Sequence, residues 1–268
     1  IIIQPKDTKL NKKRKEEKEK ANRLSHTSHT PHVKPNNNKS PLKNMESNTH
    51  TYTNNPALLA LKQQALKEAD DLLNASDWTV KKQKDGLKQL DRSQKWHDLS
   101  VRGCEAEIVG RGNDVFRFQT EPELIIAGFS SQGKNCQEAR VMEYVDQDCV
   151  VLREIMKPPF PVTARELVAI KCRKDLGNGQ VLTVVKSIDY EGCPEEDKYI
   201  RALCHFMVYH MTEKGDGKMY VRSCGSMDPR GSIPDFLKAK MGKEHYKRVK
   251  MLGSILQHLR EKNLLSQQ

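Results

Sequence analysis

Charged side chains interrupt two apolar, strand-like runs in the middle of this chain. In the first run, "CVVLREIM", the alternation of a strand places Glu154 on the same face as Val150 and Leu152, and it places Arg153 on the opposite face. Either face is apolar apart from its one charge. A buried charge is costly unless a partner compensates it. We therefore expect a charged group of this run to point at a nonpolar space.

The second run, "RELVAIKCRK", contains the same conflict between charge and apolar surroundings. Lys171 shares its strand face with Leu167, Ala169 and Arg173. A cation thus stands where a core residue is expected, and it needs either water or a partner.

Other residue types that do chemistry have weaker patterns. His26, His29 and His32 lie in a polar low-complexity segment, for which we predict no metal site. The chain contains no nucleophile elbow, P-loop or zinc-hydrolase motif, and "GRGN" at residues 110–113 is typical of a turn. We expect no enzyme, no catalytic residue, no metal and no cofactor.

Seven cysteines are present, an odd number without any CxxC pair, and most lie in apolar stretches. We predict that they are reduced and buried, as in cytoplasmic proteins. These are Cys104, Cys136, Cys149, Cys172, Cys193, Cys204 and Cys224.

The composition changes sharply after the first fifty residues. Residues 1–50 carry +7 of the total charge of +11 and have almost no large apolar side chains. We predict a disordered basic tail over residues 1–55 and one folded domain over residues 56–268. The chain starts without Met and has no apolar run near the eighteen or so residues of a membrane span, so we expect a piece of a soluble, cytoplasmic protein.

Local sequence patterns predict the helices and strands around the two charged runs. Asn55 and Pro56 predict the cap and the first residue of a helix with one apolar stripe. Short strand-like segments follow from Trp78 to Ile108, and "NDVFRFQTEPELIIAGF" predicts a helix.

Hairpin turns separate the strands from Cys136 to Met227. The dipeptides Asn178-Gly179 and Asp216-Gly217 tolerate positive φ, which predicts tight turns in an antiparallel meander. A long last helix then follows. The order of elements is that of an α+β fold in which a bent antiparallel sheet is closed by a terminal helix.

The last helix has an apolar stripe and a basic face. Its predicted basic surface consists of Lys238, Lys240, Lys243, Lys247, Arg248 and Lys250. Such a face is usually solvated, and it could also make transient contact with an anionic membrane surface.

Three motifs in this order resemble the START (StAR-related lipid transfer) family: "PVTARELVAIKCRK", "YIRA" and "SMDPRGSIPDFL". The likeness extends over roughly residues 56–263. It implies a helix-grip fold, in which a curved sheet wraps around a long C-terminal helix and leaves an internal cavity for one lipid. The chain departs from the family at Gln132-Gly133, where Trp-Asp is common, and at Ser223, where a Trp is common.

The resemblance also implies which residues meet the lipid. Glu154 matches a carboxylate that faces the tunnel in sterol-binding and related branches, and Lys171 matches the cation. Arg153 and Ser223 are further candidate lipid-binding residues. A buried Glu154–Lys171 pair would leave donors and acceptors for a lipid head group, whereas a pair at a strand end in water would contribute about 0–1 kcal/mol.

A lipid tunnel needs an opening, and the resemblance suggests where it lies. The proline-rich connection at residues 157–164 carries Phe160, and the last helix carries Leu252 and Leu256. We predict that these three side chains form the gate.

Our main hypothesis is that the chain binds one sterol, phospholipid or sphingolipid and transfers it between membranes. The alternative is a lipid-sensing regulatory module of a larger multidomain protein. Nucleic acid is not an expected partner, because the chain from Thr51 onward carries only +4 of the total charge of +11.

Overall fold

The structure is a computed structural model, which describes residues 50–95, 100–234 and 243–266. The chain divides after Asn48, and the fold given below belongs to the second unit, Thr49–Gln268. The predicted tail therefore lies outside the described residues, apart from residues 50–55. No helix in the described ranges is long and apolar enough to cross a membrane.

Helix α1 (Pro56–Leu73) begins as its sequence predicts. The side chain of Asn55 caps it by accepting hydrogen bonds from the backbone N–H groups of Ala57 (3.1 Å) and Leu58 (3.4 Å). Because proline lacks an N–H, Pro56 at the first helical position leaves no donor unpaired.

Among the described residues, ten strands form one antiparallel sheet, apart from one short parallel pairing. They are β1 (Trp78–Lys84), β2 (Leu87–Arg92), β3 (Arg102–Val109), β4 (Asn135–Asp146), β5 (Cys149–Lys157), β6 (Arg165–Gly177), β7 (Gln180–Ser187), β8 (Ile200–Arg201), β9 (Leu203–Gly215) and β10 (Lys218–Asp228). Their order is β1-β2-β3-β10-β9-β7-β6-β5-β4, and β8 pairs with β6 in parallel. Positive φ at Asn178, Gly179, Asp216 and Gly217 confirms the two predicted tight turns.

Two helices stand where the sequence predicts one. Helix α2 (Gly112–Thr120) and helix α3 (Pro122–Ser131) are separated by Glu121, whose backbone is extended at φ −91° and ψ 117°. A residue before proline avoids the helical conformation, so Pro122 ends α2 and starts α3.

The last helix is shorter than predicted within the described residues. A 3₁₀ turn (His245–Lys247) leads into helix α4 (Arg248–Glu261). Lys247 and Lys250 are exposed, but Arg248 is only 6% exposed, so its assignment to the basic surface is wrong. Arg248 stands four residues before Leu252 and therefore lies on the apolar face of the helix. Of the other predicted basic residues, Lys243 is exposed. Lys238 and Lys240 lie outside the described residues.

Helices pack against both faces of the sheet. We call the face that packs against α1 the outer face; its buried residues include Val151, Ile170, Val184 and Val208. We call the opposite face, which packs against α2, α3 and α4, the inner face. The side chains of Glu154 and Lys171 belong to the inner face, because strand residues alternate between faces.

The three sequence motifs meet at one end of the sheet. Glu166 is fully buried and accepts hydrogen bonds from Arg153 and from Arg201 Nε (2.7 Å). The neighbouring Arg165 donates to the backbone carbonyls of Pro229 (3.3 Å) and Arg230 (3.1 Å). Arg201 belongs to "YIRA", and the two carbonyls belong to "DPRG". These motifs therefore connect distant segments of the fold.

All seven cysteines are free and buried, which confirms that prediction.

Candidate functional site

A buried ion pair joins Glu154 and Lys171 on the inner face. Lys171 Nζ lies 3.0 Å from Glu154 Oε1 and 2.8 Å from the backbone carbonyl of Gln119 in α2. The side chain of Lys171 is 4% exposed, and that of Glu154 is 8% exposed. The interpretation of a solvated pair at a strand end is therefore wrong.

The register of β5 and β6 explains how these side chains meet. Glu154 lies opposite Leu167, and Lys171 lies opposite Val150, so the two charged residues are offset along the strands. The flexible lysine stem spans that offset by lying along the inner face. This geometry leaves one N–H of the ammonium without a protein partner in the described chain, because an ammonium has three donors.

Two buried polar atoms lie on the same side of the sheet without a hydrogen-bond partner among the described residues. They are Gln119 Oε1 in α2 and Thr183 Oγ1 in β7. Gln119 also supplies the carbonyl that Lys171 contacts. Neither residue was predictable from the sequence, because a lone Gln in a helix and a lone Thr in a strand are ordinary. Buried polar atoms without partners are rare in proteins and are consistent with a site for a polar group.

An apolar cluster lies beside the ion pair. It consists of Ala169, Val185 and Cys204, with the half-buried Leu167, Met207 and Met227 packed against them. Every member is a strand residue. In the part of the chain that the structure describes, no helix side chain belongs to this cluster. The sheet therefore presents a small apolar surface next to a charged pair.

A second polar group lies on the inner face near the start of α4. Ser223 in β10 is completely buried, and Arg248 Nη1 lies 3.5 Å from its Oγ. Arg248 Nη2 also donates to Nδ1 of His245. Burial, the nearby Arg248 and the nearby Arg102 together lower the pKa of His245 to about 4. His245 is therefore neutral at pH 7 and can accept that hydrogen bond.

The low pKa of His245 predicts an acid-sensitive stability. The unfolded histidine takes up a proton near pH 6.5, whereas the folded one does so only near pH 4. Between these values the unfolded state binds more protons, so stability falls as the pH falls through this window. We expect a loss of up to about 3 kcal/mol from this residue. Unfolding in urea at pH 7, 5.5 and 4 measures it.

The His245→Gln variant is the control for that prediction. Glutamine can accept the bond from Arg248 and does not titrate, so its stability should depend less on pH over the same window. The other charged groups near His245 are Arg102, Glu244 and Lys134, which the variant retains. An equal pH slope in both proteins would contradict the assignment.

The remaining predicted site residues lie elsewhere. The structure does not bring Arg153 to the pair, because Arg153 points to the outer face, where Glu166, Glu138 and Glu196 accept its hydrogen bonds. Strand alternation makes this unavoidable once Glu154 faces inward.

Of the predicted gate residues, Phe160 is 97% exposed in the connection between β5 and β6. Leu252 and Leu256 are buried where α4 packs on the inner face.

Metal-binding side chains do not cluster at this site. Within residues 50–95, 100–234 and 243–266, no group of three or more His, Cys, Asp or Glu residues has the arrangement of a metal site.

Known proteins share this fold. The START domain family model matches residues 133–262. Human STARD10 is similar over 73% of this chain and 78% of its own, with 14% identity and a TM-score of 0.59. Human StAR-related lipid transfer protein 5 is similar over 77% of this chain and 99% of its own, with 12% identity and a TM-score of 0.60.

A third similar structure is the lipid transfer and protein localization domain of human StarD13 (DLC2). It matches 78% of this chain and 98% of its own, with 18% identity and a TM-score of 0.52. No curated protein sequence matches the chain. The matched region includes the Glu154–Lys171 pair, the three motifs and α4. Residues 133–262 therefore match the START domain family, and the helix-grip fold that the sequence implies is confirmed.

Proposed function

We propose that this chain binds a single lipid against the inner face of its sheet and transfers it between membranes. The observation that carries the proposal is the buried Glu154–Lys171 pair, which lies beside an apolar cluster made of strand residues alone. The START family match and the names of the similar lipid transfer proteins support it.

The two parts of such a site would have different roles. Burial of apolar lipid surface contributes about 25 cal/mol per Å² and depends little on sequence detail. The orientation of the lipid would come from the polar atoms around the pair. These are the remaining N–H of Lys171, the oxygens of Glu154, and the unpaired atoms of Gln119 and Thr183. A sterol, a phospholipid or a sphingolipid each has a hydroxyl or an ester group that fits them.

Entry of the lipid would occur at a membrane surface. Phe160 is almost fully exposed and could insert among lipid head groups together with its flanking prolines. The exposed Lys247 and Lys250 of the last helical segment favour contact with an anionic surface. Leu252 and Leu256 remain the proposed inner part of the gate. We expect the protein to act in the cytoplasm, at the periphery of membranes.

The Thr183→Val variant tests the site without a risk to folding. Valine has nearly the shape of threonine and removes a buried hydroxyl that has no partner, so stability should be unchanged or higher. Lipid bound through that hydroxyl should be retained up to about tenfold less well. The measurement is native mass spectrometry of the full chain after incubation with mixed membrane lipids.

The matched control is Thr212→Val, which changes a half-buried threonine of β9. It should leave the lipid adduct unchanged. A folded wild-type protein that forms no one-to-one adduct with any lipid class would contradict the proposed function. Transfer between donor and acceptor vesicles then separates carrier from sensor, because a sensing module binds lipid without moving it.

A further inference from the structure

Among the described residues, four of the five buried cations donate hydrogen bonds to carboxylate or backbone carbonyl oxygens. Arg153, Lys171 and Arg260 each lie within 3.0 Å of a carboxylate oxygen. Arg165 donates to four backbone carbonyls. In the described chain, Arg248 contacts neither a carboxylate nor a carbonyl: its hydrogen bonds go to the neutral Ser223 and His245.

The guanidinium of Arg248 also has unused hydrogen-bonding capacity. A guanidinium has five N–H donors, and the bond from Nη1 to Ser223 Oγ is long at 3.5 Å. The first turn of α4 holds no acidic side chain that could compensate the charge. A buried cation without an anionic partner is unfavourable, so an anion would be stabilised at this position.

Arg248 lies on the same inner face as the Glu154–Lys171 pair. Lys171, Val185, Met207 and Gly225 lie opposite one another across β6, β7, β9 and β10. Neighbouring strands are about 4.8 Å apart, so the row from Lys171 to Gly225 spans about 14 Å. A Cβ at Gly225 would lie 2.8 Å from Arg248 Nη1, which places the guanidinium directly over the end of this row.

The apolar cluster lies between the two cations. Burial raises the pKa of Cys204, a member of that cluster, to about 12, and both Arg248 and Lys171 oppose the rise. Two positive groups thus lie near one buried thiol. Because Glu154 neutralises Lys171, this ion pair and Arg248 together carry a net charge of +1.

We propose that Arg248 forms an anion site at the inner face and that the lipid bound there has an oxyanion head group, either a phosphate or a carboxylate. This inference rests on the proposed function and names the class of lipid. The planar guanidinium matches both oxyanions in a bidentate geometry. The hydroxyl of Ser223 can donate to the same anion. Ester or hydroxyl groups of the lipid remain for Lys171, Gln119 and Thr183.

The experiment offers the full chain an equimolar mixture of dioleoyl phosphatidic acid, oleate and dioleoylglycerol, and it quantifies the lipids extracted from the repurified protein. The wild type should retain one of the two acidic lipids at least about tenfold over dioleoylglycerol. Arg248→Met should abolish that preference while dioleoylglycerol is still bound. Methionine has a similar length and removes the buried charge, so the fold should be maintained.

Two further variants make the result specific. Lys262→Met removes one positive charge from the exposed residue that ends the same helix and should leave the preference unchanged. Arg248→Lys keeps the charge without the bidentate fork, so the preference should fall only in part. It also provides the test should Arg248→Met not fold.

The outcomes separate the inference from the proposed function. If the wild type retains no lipid, the proposed function is contradicted. If the wild type retains dioleoylglycerol in the same amount as the acidic lipids, the anion site is overturned and lipid binding stands. The same conclusion follows if Arg248→Met keeps the preference for acidic lipids. A separate incubation uses inorganic phosphate. If the protein retains phosphate but takes up neither acidic lipid, the site binds a free anion and not a lipid head group, and the inference is overturned.

Discussion

Replacement of Glu166 by glutamine should lower the free energy of unfolding by about 3–5 kcal/mol. Glu166 is completely buried, and it accepts hydrogen bonds from both Arg153 and Arg201. Glutamine has nearly the same shape but no charge, so the buried guanidinium of Arg153 and the partly buried one of Arg201 would lose the buried carboxylate that they share. Urea unfolding followed by far-UV circular dichroism measures the change as a lower midpoint with the same slope.

The matched control for this variant is Glu107→Gln. Glu107 is about half exposed, and its carboxylate lies 3.7 Å from Lys218 Nζ. Loss of such a surface pair should cost less than about 1 kcal/mol. If Glu166→Gln were no more destabilising than Glu107→Gln, the motif residues would not stabilise the fold in the way that their contacts indicate.

Replacement of Lys171 by methionine should also cost about 3–5 kcal/mol, since it leaves the carboxylate of Glu154 buried without its cation. The backbone carbonyl of Gln119 would lose its donor as well. Thermal or urea unfolding of the purified variant measures this loss. Lys88→Met is the control, because Lys88 is 40% exposed and 3.8 Å from Glu105, where a loss within about 1 kcal/mol is expected.

The double variant Glu154→Leu with Lys171→Met separates the cost of an unpaired charge from the value of the pair. When both partners become apolar, most of the stability lost in the single variant should return. The same double variant should bind lipid less selectively, because the polar atoms that we propose to orient the lipid are gone. A double variant as unstable as Lys171→Met would show that the unpaired carboxylate is not the source of the loss, and it would point to the Gln119 carbonyl, which loses its donor in both variants.

Neighbouring residues of one motif are thus expected to have different roles. Arg165 and Glu166 hold distant segments together at one end of the sheet. Lys171, in the same strand, lies on the inner face beside an apolar cluster. The motif is thus partly structural and partly available for a ligand.

Several site residues were predictable because their signals are local. The alternation in "CVVLREIM" separates Glu154 from Arg153, and the likeness to the START family singles out Glu154 and Lys171. The pairing of these two residues was therefore predictable, and the structure places them 3.0 Å apart. The assignment of residues 1–55 as a disordered tail stays a prediction.

Other site residues had no local signal at all. Thr183 and Gln119 acquire their unpaired buried atoms only because α2 closes over β6 and β7. Arg248 resembles its basic neighbours in sequence, yet it turns inward with the apolar stripe of α4. Its partners, Ser223 and His245, come from a strand and a 3₁₀ turn that local patterns do not join.

The sequence by itself determined the local features: the cap and proline that start α1, the tight turns at Asn178-Gly179 and Asp216-Gly217, and the two-sided pattern of each strand. These depend on backbone conformation and on the period of side chains, which short stretches specify. Only the tertiary structure decided which strand face is the inner one and which buried cation bonds to neither a carboxylate nor a backbone carbonyl. Burial and ion pairing depend on strand register and helix packing between segments far apart in the chain, and no local pattern contains that information.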